Sequence, residues 1–241
     1  MPQFEFDSTS IHFEESGRGF PLLLIAPGAM ESAIEMWAGA TINPLALYAD
    51  TFRLIAMDQR NAGRSFGPLE PSDPWGVYAR DQLALLDYLG IDRFHVMGAC
   101  IGGSFALKLI EQAPTRVMAA VLEQPVGITD GNRPLYEQMW RSWASGLSAR
   151  RDLSAEEIEE FGNRMWRDDF VVSVSRHFVA ECSTPLLVLP GTDRYHPQAT
   201  GRDIAALAPS GQIHEPWNDS PQHVLQAAEA IRSFLQTHTP A

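Results

Sequence analysis

Short apolar runs, several of them rich in β-branched residues, alternate along this chain with longer segments whose apolar positions recur at helical spacing. The runs Ile11–Phe13, Leu22–Ala26, Arg53–Met57, Phe94–Met97, Val117–Leu122, Leu186–Leu189 and Gln212–Glu215 predict strands. Each is short and continuously apolar, as strands buried on both faces are. Between them, residues 75–89 place Tyr78, Leu85, Leu86 and Leu89 on one helical face, and Val224, Ala227, Ala228, Ile231, Phe234 and Leu235 do the same near the end. Ser220 and Pro221 supply an N-cap and a first-turn proline for that last helix. Strand and helix in alternation predict an α/β fold with a mostly parallel, twisted sheet flanked by helices.

The alternation breaks between residues 130 and 181, a stretch too long for an ordinary connection. Ser154 and Glu157 have the spacing of a capping box, and Ile158, Phe161 and Met165 then share a face, so the stretch reads as an inserted helical lid. The rest, over residues 1–241, reads as one domain. Trp140, Trp143 and Trp166 either line a pocket beneath the lid or anchor the lid to the core.

The candidate chemistry follows the predicted strand Phe94–Met97. Gly98-Ala99-Cys100-Ile101-Gly102-Gly103 leads into an apolar helix through Phe105, Ala106, Leu109 and Ile110. A strand, a tight turn and a helix in that order present the turn residue at the end of a sheet, and glycines two before and two after it remove the collisions such a turn creates. The turn residue is Cys100, where the unpaired N–H groups at the helix start favour an anion. Read alone, the same residues also suit an inert buried cysteine beside a phosphate-binding turn.

Charge narrows the partners. A formal net charge of -12 leaves no basic surface for nucleic acid or an anionic membrane, so a small-molecule substrate is the expectation. No apolar run approaches the roughly 20 residues needed to cross a bilayer, and the N-terminus lacks the pattern of a secretory signal. With only Cys100 and Cys182 present, a cytoplasmic location with reduced thiols is expected; Cys182 reads as a structural thiol. No metal-ligand pattern and no cofactor motif stand out, and a homo-oligomer is left open.

Taken together, these motifs resemble the α/β-hydrolase fold family over nearly the whole chain, and Gly98-Ala99-Cys100-Ile101-Gly102-Gly103 is similar to the cysteine elbow of dienelactone hydrolase. Ile25-Ala26-Pro27-Gly28-Ala29-Met30 stands in the place of the family's oxyanion turn, with Pro27 where a histidine is usual. Asp58 to Ser65 resembles the family's Asp-x-Arg-Gly-x-Gly-x-Ser loop, with Asn61 where a glycine is usual. The resemblance implies Cys100 as nucleophile and the N–H groups of Ala29 and Ile101 as oxyanion donors. It also implies Asp193, in Gly191-Thr192-Asp193 after Leu186–Leu189, as the acid that orients a histidine.

Three histidines lie close to the ends of the last strands: His196, His214 and His223. His223, at the start of the final helix, is where the family's histidine projects toward the elbow, and it is the favoured base. His214 falls inside the predicted last strand, although Asp219 could pair with it as the family's acidic residue does, and His196 reads as a pocket residue beside Asp193. The other histidines, His12, His95, His177 and His238, read as surface or core residues. A Cys-His-Asp set beside paired N–H donors implies a hydrolase acting on an ester or lactone through a thioester. An acyltransferase using the same thioester, or a non-catalytic receptor on the same scaffold, would share these motifs.

Overall fold

A computed structural model describes residues 2–147, 150, 153–167 and 170–240. Its centre is an eight-stranded sheet in the order β1-β2-β4-β3-β5-β6-β7-β8. The strands are β1 (Gln3–Phe6), β2 (Thr9–Gly17), β3 (Phe20–Ile25), β4 (Phe52–Met57), β5 (Phe94–Ala99), β6 (Val117–Glu123), β7 (Leu186–Leu189) and β8 (Gly211–Ile213). The pairs β1–β2 and β2–β4 are antiparallel, and all later pairs are parallel. The fold class is therefore the one the sequence predicts. The first hairpin is longer than the single short run expected there, and β8 ends before His214 rather than at Glu215.

Period-two geometry explains why the central strands are apolar throughout. Along β3, Leu23 and Ile25 enter one core, while Leu22 and Leu24 enter the other. The first core is closed by α2 (Gly76–Tyr88) and α3 (Ile101–Gln112), through residues such as Tyr78, Leu86, Phe105 and Leu109. The second is closed by α1 (Pro44–Leu47) and α8 (Pro221–Thr237), through Tyr48, Ala227, Ile231 and Leu235. Ser220 caps α8 as predicted, its side chain accepting the His223 N–H at 3.2 Å.

Between β6 and β7 lie α4 (Arg133–Leu147), α5 (Ala155–Met165) and α6 (Arg176–Glu181). Within the stretch expected as a lid, residues 148, 149, 151, 152, 168 and 169 lie outside the described residues. Ser154 and Glu157 form the predicted capping box at the start of α5. Both roles open to the tryptophans are filled. Trp166 meets Trp75 edge-on at 6.1 Å, an anchoring contact, while Trp140 stacks on Phe161 at 6.1 Å and so joins α4 to α5 within the stretch. Trp143 borders the Cys100 cavity described below. Beyond β7, α7 (Gln198–Leu207) is a helix the sequence pattern does not announce.

The loop after β4 is a brace. Asp58 accepts the Ile34 N–H and the Arg64 N–H, each at 2.8 Å, and the Ser65 hydroxyl donates to the Asp58 carbonyl. Gly63 sits at φ 54, and a Cβ there would lie 2.4 Å from the Asp58 carboxylate. Asn61 takes φ 61, the left-handed backbone asparagine tolerates better than most residues. Arg60, from the same loop, makes a two-pronged ion pair with Asp81 of α2 at 2.7 and 2.5 Å. The loop thus ties α2 to the segment following β3. Replacing Asp58 with alanine strands two backbone donors, and the expected loss is about 2–4 kcal/mol of unfolding free energy by urea titration.

Candidate active site

Cys100 joins β5 to α3 at φ 57 and ψ -120, a backbone conformation that costs a residue with a Cβ about 1–3 kcal/mol. Its neighbours hold it there. Its N–H donates to the Glu123 carbonyl at 2.9 Å, and its carbonyl accepts the Gly103 N–H at 3.1 Å. The two glycines predicted to make room do so by direct backbone contact. A Cβ at Gly98 would lie 2.1 Å from the Gly102 carbonyl oxygen, and one at Gly102 would lie 2.2 Å from that of Ile25. Strand, helix and neighbouring strand meet here with no space for a side chain.

The turn after β3 faces this elbow. Gly28 at φ 117 and Ala29 at φ 54 reverse the chain into a single 3-10 turn, Ala29–Glu31. The Ser32 hydroxyl donates to the Ala26 carbonyl at 2.7 Å, and the Gln59 N–H donates to Ser32 at 2.9 Å, so the turn is pinned from both sides. Pro27 in place of a histidine does not prevent it. Ala29 and Ile101 each open a helical turn, where N–H groups have no partner within the turn itself, and both border one cavity with Cys100.

That cavity, of about 500 Å³, is also bordered by Tyr136, Met139 and Trp143 of α4 and by Tyr195 and His196. Asp193 and His196 occupy a single turn after β7. The Asp193 carboxylate accepts the Tyr195 N–H at 2.8 Å and the His196 N–H at 3.0 Å, and it meets His196 Nδ1 at 2.9 Å through both oxygens. A Cβ at Gly191 would lie 2.2 Å from the Cβ of His196, so only glycine allows the turn to close this tightly. The turn is fastened to α4 as well. The Asn132 side-chain amide donates to the Gly127 and Arg194 carbonyls at 2.8 Å each, and the Tyr136 hydroxyl donates to the Tyr195 carbonyl.

The electrostatics follow from these contacts. Burial disfavours a charged His196, yet the nearby Cys100 sulfur and the Asp193 carboxylate outweigh it and raise the imidazole to about 9, while the buried His196 Nε2 makes no hydrogen bond among the described residues. Burial would lift Asp193, but the His196 ring and the backbone N–H groups of Tyr195 and His196 hold it below the ordinary carboxylate range. Glu123, at the end of β6, is buried and pushed up to about 8, with the Ile42 N–H and His196 pulling weakly the other way. Burial also pushes the Tyr136 phenol upward, and charge on Cys100 adds to it.

Cys100, Asp193, Ala29 and Ile101 are thus brought to one place, and His223 is not. After β8 the chain buries Trp217, whose indole N–H donates to the Pro190 carbonyl at 2.6 Å. It then enters α8 against the second core, which holds His223 on the first turn of that helix and outside the cavity wall. His214 continues the β8 pairing, its N–H donating to Val188 at 2.9 Å, and it too lies outside the wall. The histidine that reaches the cavity is His196. Its signal in the sequence is local: Asp193 and His196 are three apart in a turn opened by Gly191. Glu123, Asn132 and Tyr136 carried no such signal.

The family model for the alpha/beta hydrolase fold matches residues 21–211. Over 164 residues the chain is 32% identical to 2-hydroxymuconate semialdehyde hydrolase of Pseudomonas sp. (strain CF600), covering 67% of this chain and 54% of that protein. The chain spans about half the length of the curated relatives it matches. The enol-lactonase of Burkholderia xenovorans LB400 superposes with a TM-score of 0.68 at 19% identity, covering 98% of this chain and 100% of that one. The serine hydrolase CCSP0084 of Cycloclasticus zankles superposes with a TM-score of 0.71 at 19% identity, covering 98% and 97%. At such identities the likeness to solved structures is one of fold.

The elbow contacts generate a direct test. Gly102→Ala forces its new methyl group into the Ile25 carbonyl, and the expected cost is about 3 kcal/mol, the upper end for overpacking. Urea unfolding measures it, and an unaltered midpoint would show that the strand and helix can separate at no cost.

Proposed function

Because the chain belongs to the alpha/beta hydrolase fold family, we propose that it hydrolyses small-molecule esters or lactones through Cys100, His196 and Asp193, by way of a thioester. The observation that carries this reading is that His196, clamped by Asp193 through Nδ1, shares its cavity and its charge balance with Cys100. The proposal replaces the expected base, His223, with His196. That relatives are themselves named as a 2-hydroxymuconate semialdehyde hydrolase and an enol-lactonase supports hydrolysis. Among the described residues no helix is long and apolar enough to cross a membrane, and no cluster of potential metal ligands occurs.

With its proton on His196, the Cys100 sulfur attacks the ester carbonyl carbon. A C–S bond forms, and the carbonyl electron pair moves onto oxygen, where the Ala29 and Ile101 N–H groups would stabilise it. Collapse breaks the C–O bond, and the departing alkoxide takes the proton from His196. Neutral His196 then takes a proton from water as the water oxygen adds to the thioester carbon. Breaking the C–S bond frees the acid and returns the sulfur to its partnership with protonated His196. Asp193 steadies the imidazolium at the two stages where it exists. α4 and α5 act as the lid, with Trp143 and Met139 shaping the acyl pocket.

Intact-protein mass spectrometry after brief exposure to activated esters tests the assignment. The wild type gains one acyl group on Cys100 and Cys100→Ala gains none. His196→Ala acylates about 10²–10⁴-fold more slowly, the usual worth of a general acid-base, whereas His223→Ala behaves as wild type. An adduct formed as fast in His196→Ala as in wild type would remove His196 from the role.

Acylation also requires an imidazolium to protonate the leaving alkoxide, so kcat/KM falls as pH rises through about 9. Asp193 helps hold that proton, and Asp193→Asn therefore moves the alkaline limb to lower pH. Glu123 titrates in the same region, near 8. A Glu123→Gln profile separates the two, because only the His196 limb should persist in it.

A further inference from the structure

The wall of the Cys100 cavity carries a charge pattern that the proposed hydrolysis does not require. Glu31 stands on the rim, at the end of the 3-10 turn that begins with Ala29. It is exposed; its N–H donates to the Gly28 carbonyl at 2.9 Å, while among the described residues its carboxylate has no ion-pair or hydrogen-bond partner. None of the described residues lining the cavity is a lysine or an arginine. The same wall carries three aromatic residues, Tyr136, Trp143 and Tyr195, the two tyrosines meeting edge-on with ring centroids 6.0 Å apart.

Ring faces attract cations through the ring quadrupole, and an unneutralised carboxylate at the mouth adds attraction of the same sign. A carboxylate-bearing ligand would meet the opposite. It would be repelled by the chain's net charge of -12 on approach and by Glu31, and the cation it would meet among the described wall residues is His196, at the reacting end and already engaged by Asp193. A pocket that bound an anionic acyl chain would need an arginine or lysine to offset its desolvation.

We propose that the Cys100 cavity selects esters whose acyl chain ends in a positively charged ammonium group and discriminates against carboxylate-bearing ones, with Glu31 as the residue that sets the preference. This rests on the hydrolase reading above. Glu31 does not touch the reacting carbonyl; it acts on the far end of the substrate, so the effect falls on KM and on kcat/KM rather than on the rate of bond making.

Three p-nitrophenyl esters of matched length test it: that of trimethylammonio-butanoate, that of its uncharged tert-butyl isostere, and the half-ester of glutarate. The wild type should turn over the cationic ester with kcat/KM about tenfold or more above that of the glutarate half-ester, the worth of one or two unit charges at this range in a half-exposed site. The isostere should fall between them. Glu31→Gln should narrow the cation-to-anion ratio several-fold, read as a ratio so that any effect common to the three esters cancels. Raising the salt should narrow the ratio in the wild type and narrow it less in the variant, which keeps the chain's net negative charge but lacks the carboxylate of Glu31.

A glutarate half-ester hydrolysed as well as the cationic ester, or a ratio unmoved in Glu31→Gln, overturns the proposal while leaving the nucleophile assignment intact. Absence of an acyl adduct on Cys100 with all three esters overturns the hydrolase reading, and this inference with it.

Discussion

The backbone contact between Gly98 and Gly102 is the constraint on which the rest depends. A residue held at φ 57 and ψ -120 does not stay there by its own preference. It stays because β5 and α3 cross with a glycine at each side of the contact, and because the Cys100 N–H is committed to Glu123 on the next strand. That geometry lifts the sulfur off the end of the sheet and leaves the Ile101 N–H unengaged beside it. The same crossing lets α3 lie on the sheet, where Phe105 and Leu109 close the first core. Strain at one residue and burial of a whole helix are therefore one arrangement, stabilised by the burial and exploited at the site.

A second constraint fixes what faces the sulfur. The Asp58 brace joins the segment after β3 to the loop after β4, and Ser32 ties the oxyanion turn back to Ala26. On the opposite side, Asn132 and Tyr136 fasten the start of α4 to the turn that carries Asp193 and His196. The cavity is thus bounded by three segments, each held by buried hydrogen bonds whose loss would strand polar groups. α4 is at once wall and clamp, so a change in its packing should reach the acid and base through the 191–196 turn without touching either.

Elements that bury a continuous apolar surface were legible in the sequence, because their residue types follow from their burial. The strands from β3 to β7 and the cap of α8 fall where the pattern places them, and so does the elbow, whose glycines answer a steric need visible in the motif. The short edge strand β1, with its half-buried alternation, gave a weaker pattern, and α7 was lost among the turn residues before it. The base could not be chosen from the sequence, because distance along the chain does not say which way the loop after β8 turns. Trp217 decides that: an indole burying its ring in the second core and donating to Pro190 pulls the loop down onto the sheet. A histidine after the last strand is a pattern; where the loop that carries it lies is a matter of packing.

Under the proposed assignment of Asp193 as acid and His196 as base, the local character of the pair has a consequence for how such a site can be maintained. Where acid and base lie on separate loops, their alignment depends on two connections and on the register of β7 and β8. Here Asp193 and His196 are joined by one carboxylate that also ties down two backbone N–H groups of the same turn. The imidazole is oriented by a contact three residues away in the chain, and Gly191 supplies the close approach that makes this possible. The connection between β8 and α8 is committed to packing and capping, through Trp217 donating to Pro190 and Ser220 accepting the His223 N–H. On that assignment, substitutions at His214 and His223 should be felt in stability alone, while the 191–196 turn tolerates little, because the Asp193 carboxylate serves both the turn and the imidazole.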